Sequence, residues 1–151
     1  MNDRRRALLG GNGEKGLIYK AGWTAFRNCE ITSDQFPADR KSFESDYLKL
    51  WKTSTATGYH RIVLGVDFTG YKKLVVEVRA HGQRESIVAN TDTKIGYMTT
   101  ATGSVRGINS EYLSTKQTVY EIDISSQQGY RWIGIQVYVK STMYVYDIHL
   151  E

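Results

Sequence analysis

Four carboxylates, Glu77, Glu121, Asp123 and Asp147, fall in segments where apolar and polar residues alternate, each on the polar side. A glycosidase needs such a pair, one acid to protonate the leaving oxygen and one carboxylate to act as base or nucleophile. On the polar face of an antiparallel sheet, however, carboxylates are usually solvated or paired across strands. Hydrolysis is therefore the minor reading of these four. Cys29 is the single cysteine, so it closes no internal disulfide. With no histidine near it in sequence, it is expected to be a buried, inert thiol and not a nucleophile. His60, His81 and His149 are scattered and form none of the paired patterns that zinc sites use. There is no G-x-S-x-G elbow, no P-loop and no H-E-x-x-H helix. Gly10, Gly11 and Gly13 follow no strand and open no helix, which removes the geometry a phosphate cradle needs. No catalytic residue is assigned, and a non-enzymatic protein is expected.

Two other groupings carry ligand chemistry. Asp34, Asp39, Glu44 and Asp46 crowd one polar segment. Calcium takes several carboxylate and carbonyl oxygens, so a structural calcium ion is the one cofactor these acids could hold, although their spacing fits no calcium loop. The second grouping is an aromatic stripe. If Ile133, Ile135 and Val137 point inward, the other side of the same segment shows Tyr130, Trp132, Gly134, Gln136 and Tyr138. Large aromatics on a non-core face need a cover or a ligand. Another part of the chain, such as residues 21–46, could cover the stripe. It could be a subunit interface, where Tyr and Trp are enriched. It could also stack on sugar rings. The face carries little beside Gln136 and the phenol tips that could hydrogen-bond a sugar, so Trp132 is expected to lie under protein, its own chain or a partner.

Strands must position these side chains. Residues 47–51 and 60–64 alternate with period 2, as half-buried strands do. In 74–79, Leu74, Val76 and Val78 share a face; in 118–124, Tyr120, Ile122 and Ile124 do. Residues 86–89 and 94–99 read as a hairpin around a turn at 90–93, and 104–108 as a weaker strand. In 143–150 the expected apolar face is Tyr144, Tyr146, Ile148 and Leu150. No amphipathic helix of ten residues or more stands out. Eight or nine short strands with one polar face each predict an antiparallel all-β sandwich, with Leu74, Val76, Val78, Ile122, Ile133, Ile135, Val137, Tyr146 and Ile148 in its core. Residues 21–46 read as an irregular stretch pinned by Trp23, Phe26, Phe36 and Phe43.

Residues 1–16 hold Arg4, Arg5 and Arg6 and then four glycines, which reads as a flexible leader before one domain spanning 17–151. Much of the net charge of +4 comes from that arginine triplet. A nucleic-acid binder spreads its basic residues over a face, so nucleic acid is not an expected partner. No apolar run of transmembrane length and no convincing signal peptide are present, so neither membrane nor secretion signal is expected.

The run 66–76, VDFTGYKKLVV, resembles a phrase of jelly-roll modules in phage and prophage tail and minor structural proteins of Gram-positive gut bacteria. Residues 122–126, IDISS, followed by 130–135, YRWIGI, and the closing IHLE are similar to later phrases of the same modules, and the basic opening to their leaders. The shape is shared with galactose-binding-like and carbohydrate-binding modules. The resemblance implies a non-catalytic structural or host-attachment module, associated with the virion and made in the bacterial cytoplasm. Its partners would be other phage structural proteins, further copies of itself, or a cell-surface glycan. The alternative it leaves open is a free, lectin-like carbohydrate-binding module.

Overall fold

The structure, a computed structural model, describes residues 11–53, 56–108 and 112–151. Eleven strands are found among them: β1 (Leu17–Lys20), β2 (Glu30–Asp34), β3 (Lys41–Phe43), β4 (Leu48–Lys52), β5 (Tyr59–Asp67), β6 (Lys73–His81), β7 (Lys94–Met98), β8 (Arg106–Gly107), β9 (Thr118–Asp123), β10 (Tyr130–Tyr138) and β11 (Ser141–Leu150). They form an antiparallel, jelly-roll-like β-sandwich. One sheet runs β3-β4-β11-β6-β9, with β1 also paired to β11. The other runs β2-β5-β10-β7-β8. The eight or nine strands expected become eleven, because β2 and β3 lie within the segment read as irregular and β1 is short.

The alternating residues explain the layers. Ile62, Leu64 and Val66 of β5 lie beside Ile133, Ile135 and Val137 of the adjacent β10 on one inner face, and Leu74, Val76, Val78 and Ile122 close the core from the facing sheet. Phe36 is buried, while Trp23, Phe26 and Phe43 pack on the same core from its margin, as expected for residues 21–46. The 66–70 turn forms: the Thr69 N–H donates to Asp67 Oδ1 at 2.9 Å, and Gly70 takes φ 86°, a left-handed conformation.

Two expectations are corrected. The first is the hairpin. Residues 86–89 form no strand, and Ile87 and Val88 are exposed. The reason is that both edges of β7 are taken, by β10 on one side and β8 on the other. The β7–β8 approach is so close that a Cβ on Gly96 would collide with the Arg106 carbonyl.

The second correction is the face of β11. Along β6, Val145 pairs with Val78 but Asp147 pairs with Glu77, so Tyr146 is an extra residue, a β-bulge. A bulge reverses the parity of the side chains beyond it. Met143 and Val145 therefore face the core before it, and Ile148 and Leu150 after it. Tyr144 and Tyr146 stand on the outer face, and Tyr146 leaves the predicted core.

Residues 1–10, with Arg4 to Arg6, lie outside the described residues. Gly11–Gly16 forms a 3-10 helix. The Asn28 side-chain amide donates to the Glu14 carbonyl at 2.9 Å and to the Leu17 carbonyl at 2.8 Å, which ties this helix to the chain after β1.

Candidate functional site

The stripe on β10 does stand on an outer face. Its register places Trp132 between Gly65 and Met98, Gly134 between Val63 and Gly96, and Gln136 between Arg61 and Lys94. The middle of it is closed. Met98 and Val105 pack over Gly134, and with Val63 they form a small apolar cluster that half-buries Trp132. The cover is thus the segment 98–105, where residues 21–46 were the example expected. Gln136 is buried and engaged at both ends: its Oε1 accepts from Arg61 Nε at 3.0 Å and Nη2 at 2.7 Å, while its Nε2 donates to the Asp92 carbonyl at 2.7 Å. Arg61 also donates to the Gly103 carbonyl at 2.9 Å and lies 4.6 Å over the Tyr59 ring. Tyr138 is half-buried, and its N–H donates to Thr93 Oγ1 at 3.0 Å. Only Tyr130 remains largely open, edge-on to Trp132 at 5.6 Å, its hydroxyl donating to the Glu30 carboxylate at 3.4 Å. Burial first, and then the Glu30 charge, push the Tyr130 phenol up from its ordinary value.

The carboxylates are likewise engaged. Glu121 pairs with Lys73 at 3.1 Å, and Glu77 accepts from the Gln117 amide. Asp123 accepts from the Ser125 N–H at 2.9 Å and hydroxyl at 2.7 Å, which holds its carboxyl below the usual range. Asp147 and Glu151 flank His149, at 2.5 and 2.9 Å. Of the calcium candidates, Asp34 pairs with Lys41, Asp39 lies 3.3 Å from Arg40 and Glu44 accepts from the Ser42 hydroxyl at 2.6 Å, while Asp46 is exposed. Among the described residues no three His, Cys, Asp or Glu side chains gather where they could hold a metal ion. Burial pushes the Cys29 thiol up to about 11, which keeps it protonated at neutral pH and a poor nucleophile.

A denser array occupies the outer face of the opposite sheet. Cross-strand pairing sets Trp51, Thr142 and His81 in one row and Lys49, Tyr144 and Arg79 in the next. Tyr47, just ahead of β4, packs edge-on against Tyr144 at 4.9 Å and Tyr146 at 6.0 Å. The Arg79 guanidinium lies 3.7 Å over the Tyr144 ring, donates to the Tyr146 hydroxyl at 3.0 Å and pairs with Glu85 at 3.6 Å. The Lys49 ammonium is 4.8 Å from the Trp51 ring. Tyr144 is the buried base of the array, and its phenol is pushed up chiefly by that burial. Trp51, Tyr47, Tyr146 and Lys49 are half-buried around it. Cation–π stacking and the Arg79 hydrogen bond hold the rings in place.

Sequence reasoning missed this array because Tyr144 and Tyr146 were read into the core. One signal was present. Asp147 and His149 share the parity of Met143 and Val145, so a strand without a bulge would place two ionisable groups in the core.

No protein-family model matches the sequence, and no curated protein matches it. The fold is similar to a solved structure, CBM29_1, a family 29 carbohydrate binding module from Piromyces equi, with a TM-score of 0.56 at 14% identity over 89% of this chain and 87% of that one.

Proposed function

We propose that this chain is a non-catalytic carbohydrate-binding module that binds through the outer face of the β3-β4-β11-β6-β9 sheet. The observation that carries the reading is the mixture on that face. The rings of Trp51, Tyr47 and Tyr146 stand beside the hydrogen-bonding heads of Lys49, Arg79 and Glu85. Sugars present apolar C–H faces and a rim of hydroxyls, so a sugar site needs rings for the first and placed polar groups for the second. The β10 stripe lacks that mixture because its polar members, Gln136 and Arg61, are buried, whereas Glu85 on the other face is exposed. The likeness in fold to a carbohydrate-binding module agrees with the same class of function. Attachment or assembly within a phage rests on the sequence phrases alone, and no observation on either face favours it. A hydrolase would need a carboxylate pair free to act, and Glu77, Glu121, Asp123 and Asp147 each have a local partner.

Calorimetric titration with plant and microbial oligosaccharides tests the proposal. Trp51→Ala is expected to weaken glycan binding about tenfold or more, from the loss of a ring contact. Tyr130→Ala, on the opposite sheet, is expected to change it by less than about twofold. The reverse pattern would move the site to the β10 face.

A further inference from the structure

Three connections cross between the sheets at one end of the sandwich: β4 to β5, β6 to β7, and the tight turn from β10 to β11 through Lys140. At this end lies an open cavity of ≈ 270 Å³ that continues the Trp51, Thr142 and His81 row. Lys52, His81, Gln83, Lys140, Ser141 and Thr142 line it, and among the described residues no carboxylate does. Most of the Lys52 side chain is buried, and its ammonium, which reaches solvent, has no hydrogen bond or ion pair among the described residues. A cation with no carboxylate partner beside it is left to attract a mobile anion. The neighbouring cations differ in this respect: Lys41 has Asp34 and Arg79 has Glu85. Lys140 is exposed at the turn, in a left-handed conformation at φ 55°. His81 is held with Nδ1 on the Gly82 carbonyl at 2.8 Å and Nε2 on the Tyr144 hydroxyl at 3.3 Å, which joins the cavity to the aromatic array. The field at this end is positive: burial first, and then the charges of Lys52 and Arg40, hold the His60 imidazole below its ordinary value.

We propose that this cavity binds the acid group of a saccharide, a uronate carboxylate or a sulfate ester, between the ammonium groups of Lys52 and Lys140. The inference rests on the reading of the adjoining face as a glycan site, and it names the class of glycan. Two lysines and the Thr142 hydroxyl on one lining can supply charge-assisted hydrogen bonds to anionic oxygens. The volume suits one sugar unit, whose neighbours along a chain would then lie over Trp51 and Tyr47.

The full chain is titrated at low ionic strength with sodium sulfate, glucuronate, a neutral oligosaccharide, and uronate-bearing and sulfated forms of the same backbone. The two acidic forms separate carboxylate from sulfate recognition. At least one is expected to bind about tenfold tighter than the neutral form, with the advantage reduced by added salt. Lys52→Met keeps the buried stem and removes the charge; it is expected to abolish the advantage while neutral-form binding persists. Lys140→Ala, at an exposed turn, should reduce the advantage and keeps the test decisive if Lys52→Met unfolds. If sulfate and glucuronate bind in a Lys52-dependent way while no oligosaccharide binds, the anion cavity stands and the glycan reading falls. Equal affinity for neutral and acidic forms, or an acidic preference untouched by both variants, overturns the proposal even if neutral glycans bind.

Discussion

Ile135→Ala is expected to lower the stability of the fold by about 2–5 kcal/mol, the range for large-to-small changes at well-packed positions. Ile135 sits at the centre of β10 and is fully buried. Its register partners are Ile62 on β5 and Ile95 on β7, both also fully buried. The strand cannot sag into the space left behind, because it is bonded to β5 from Tyr130 opposite Asp67 to Tyr138 opposite Tyr59. The cavity would therefore persist, and its unfilled volume adds to the lost transfer energy. Thermal unfolding reads the effect directly. For a chain of this size the loss corresponds to a fall in Tm of roughly 4–20 °C. A change under about 1 kcal/mol would show that this layer is loosely packed.

Gln136→Leu is the second large effect, and its origin is electrostatic. The substitution removes the carbonyl that accepts two hydrogen bonds from Arg61, a residue only 8% exposed. The Gly103 carbonyl would remain as an acceptor, but Nε and Nη2 would lose theirs. Leaving a buried charged donor unpaired costs more than the net value of the bond, so a loss of about 2–3 kcal/mol is expected. Replacing both partners, Arg61→Met with Gln136→Leu, should recover much of it, because no charge is then left stranded. Denaturant unfolding of the two singles and the double closes the cycle. A Gln136→Leu protein as stable as the parent would mean that the Arg61 head escapes to water.

Most of the fold was legible because the core follows period 2. Leu74, Val76 and Val78 on β6, and Ile133, Ile135 and Val137 on β10, are buried as their alternation requires. The failures have local causes. The bulge at Tyr146 is a one-residue insertion that alternation cannot register, and it hid the aromatic face. The segment 86–89 has strand-like residues, but no free edge was left for it to pair with. The stripe itself was readable, since Tyr130, Trp132, Gln136 and Tyr138 do lie on one side of β10. What covers it was not readable, because the contact between residues 98–105 and Gly134 is set by the tertiary path of a loop. The Lys52 cavity was beyond the sequence for the same reason: it is assembled from three connections that are distant along the chain.

The three tryptophans, Trp23, Trp51 and Trp132, offer the most direct test of the binding face. Each indole N–H gives its own signal in a nitrogen–proton correlation spectrum, and each reports a different place. Trp23 marks the margin of the core, Trp51 the outer face of the β3-β4-β11-β6-β9 sheet, and Trp132 the β10 stripe. During titration with an oligosaccharide that binds, the Trp51 signal is predicted to move in a saturable way while those of Trp23 and Trp132 stay in place. Saturable movement of the Trp132 signal, with Trp51 unmoved, would contradict the account and return the site to the β10 face.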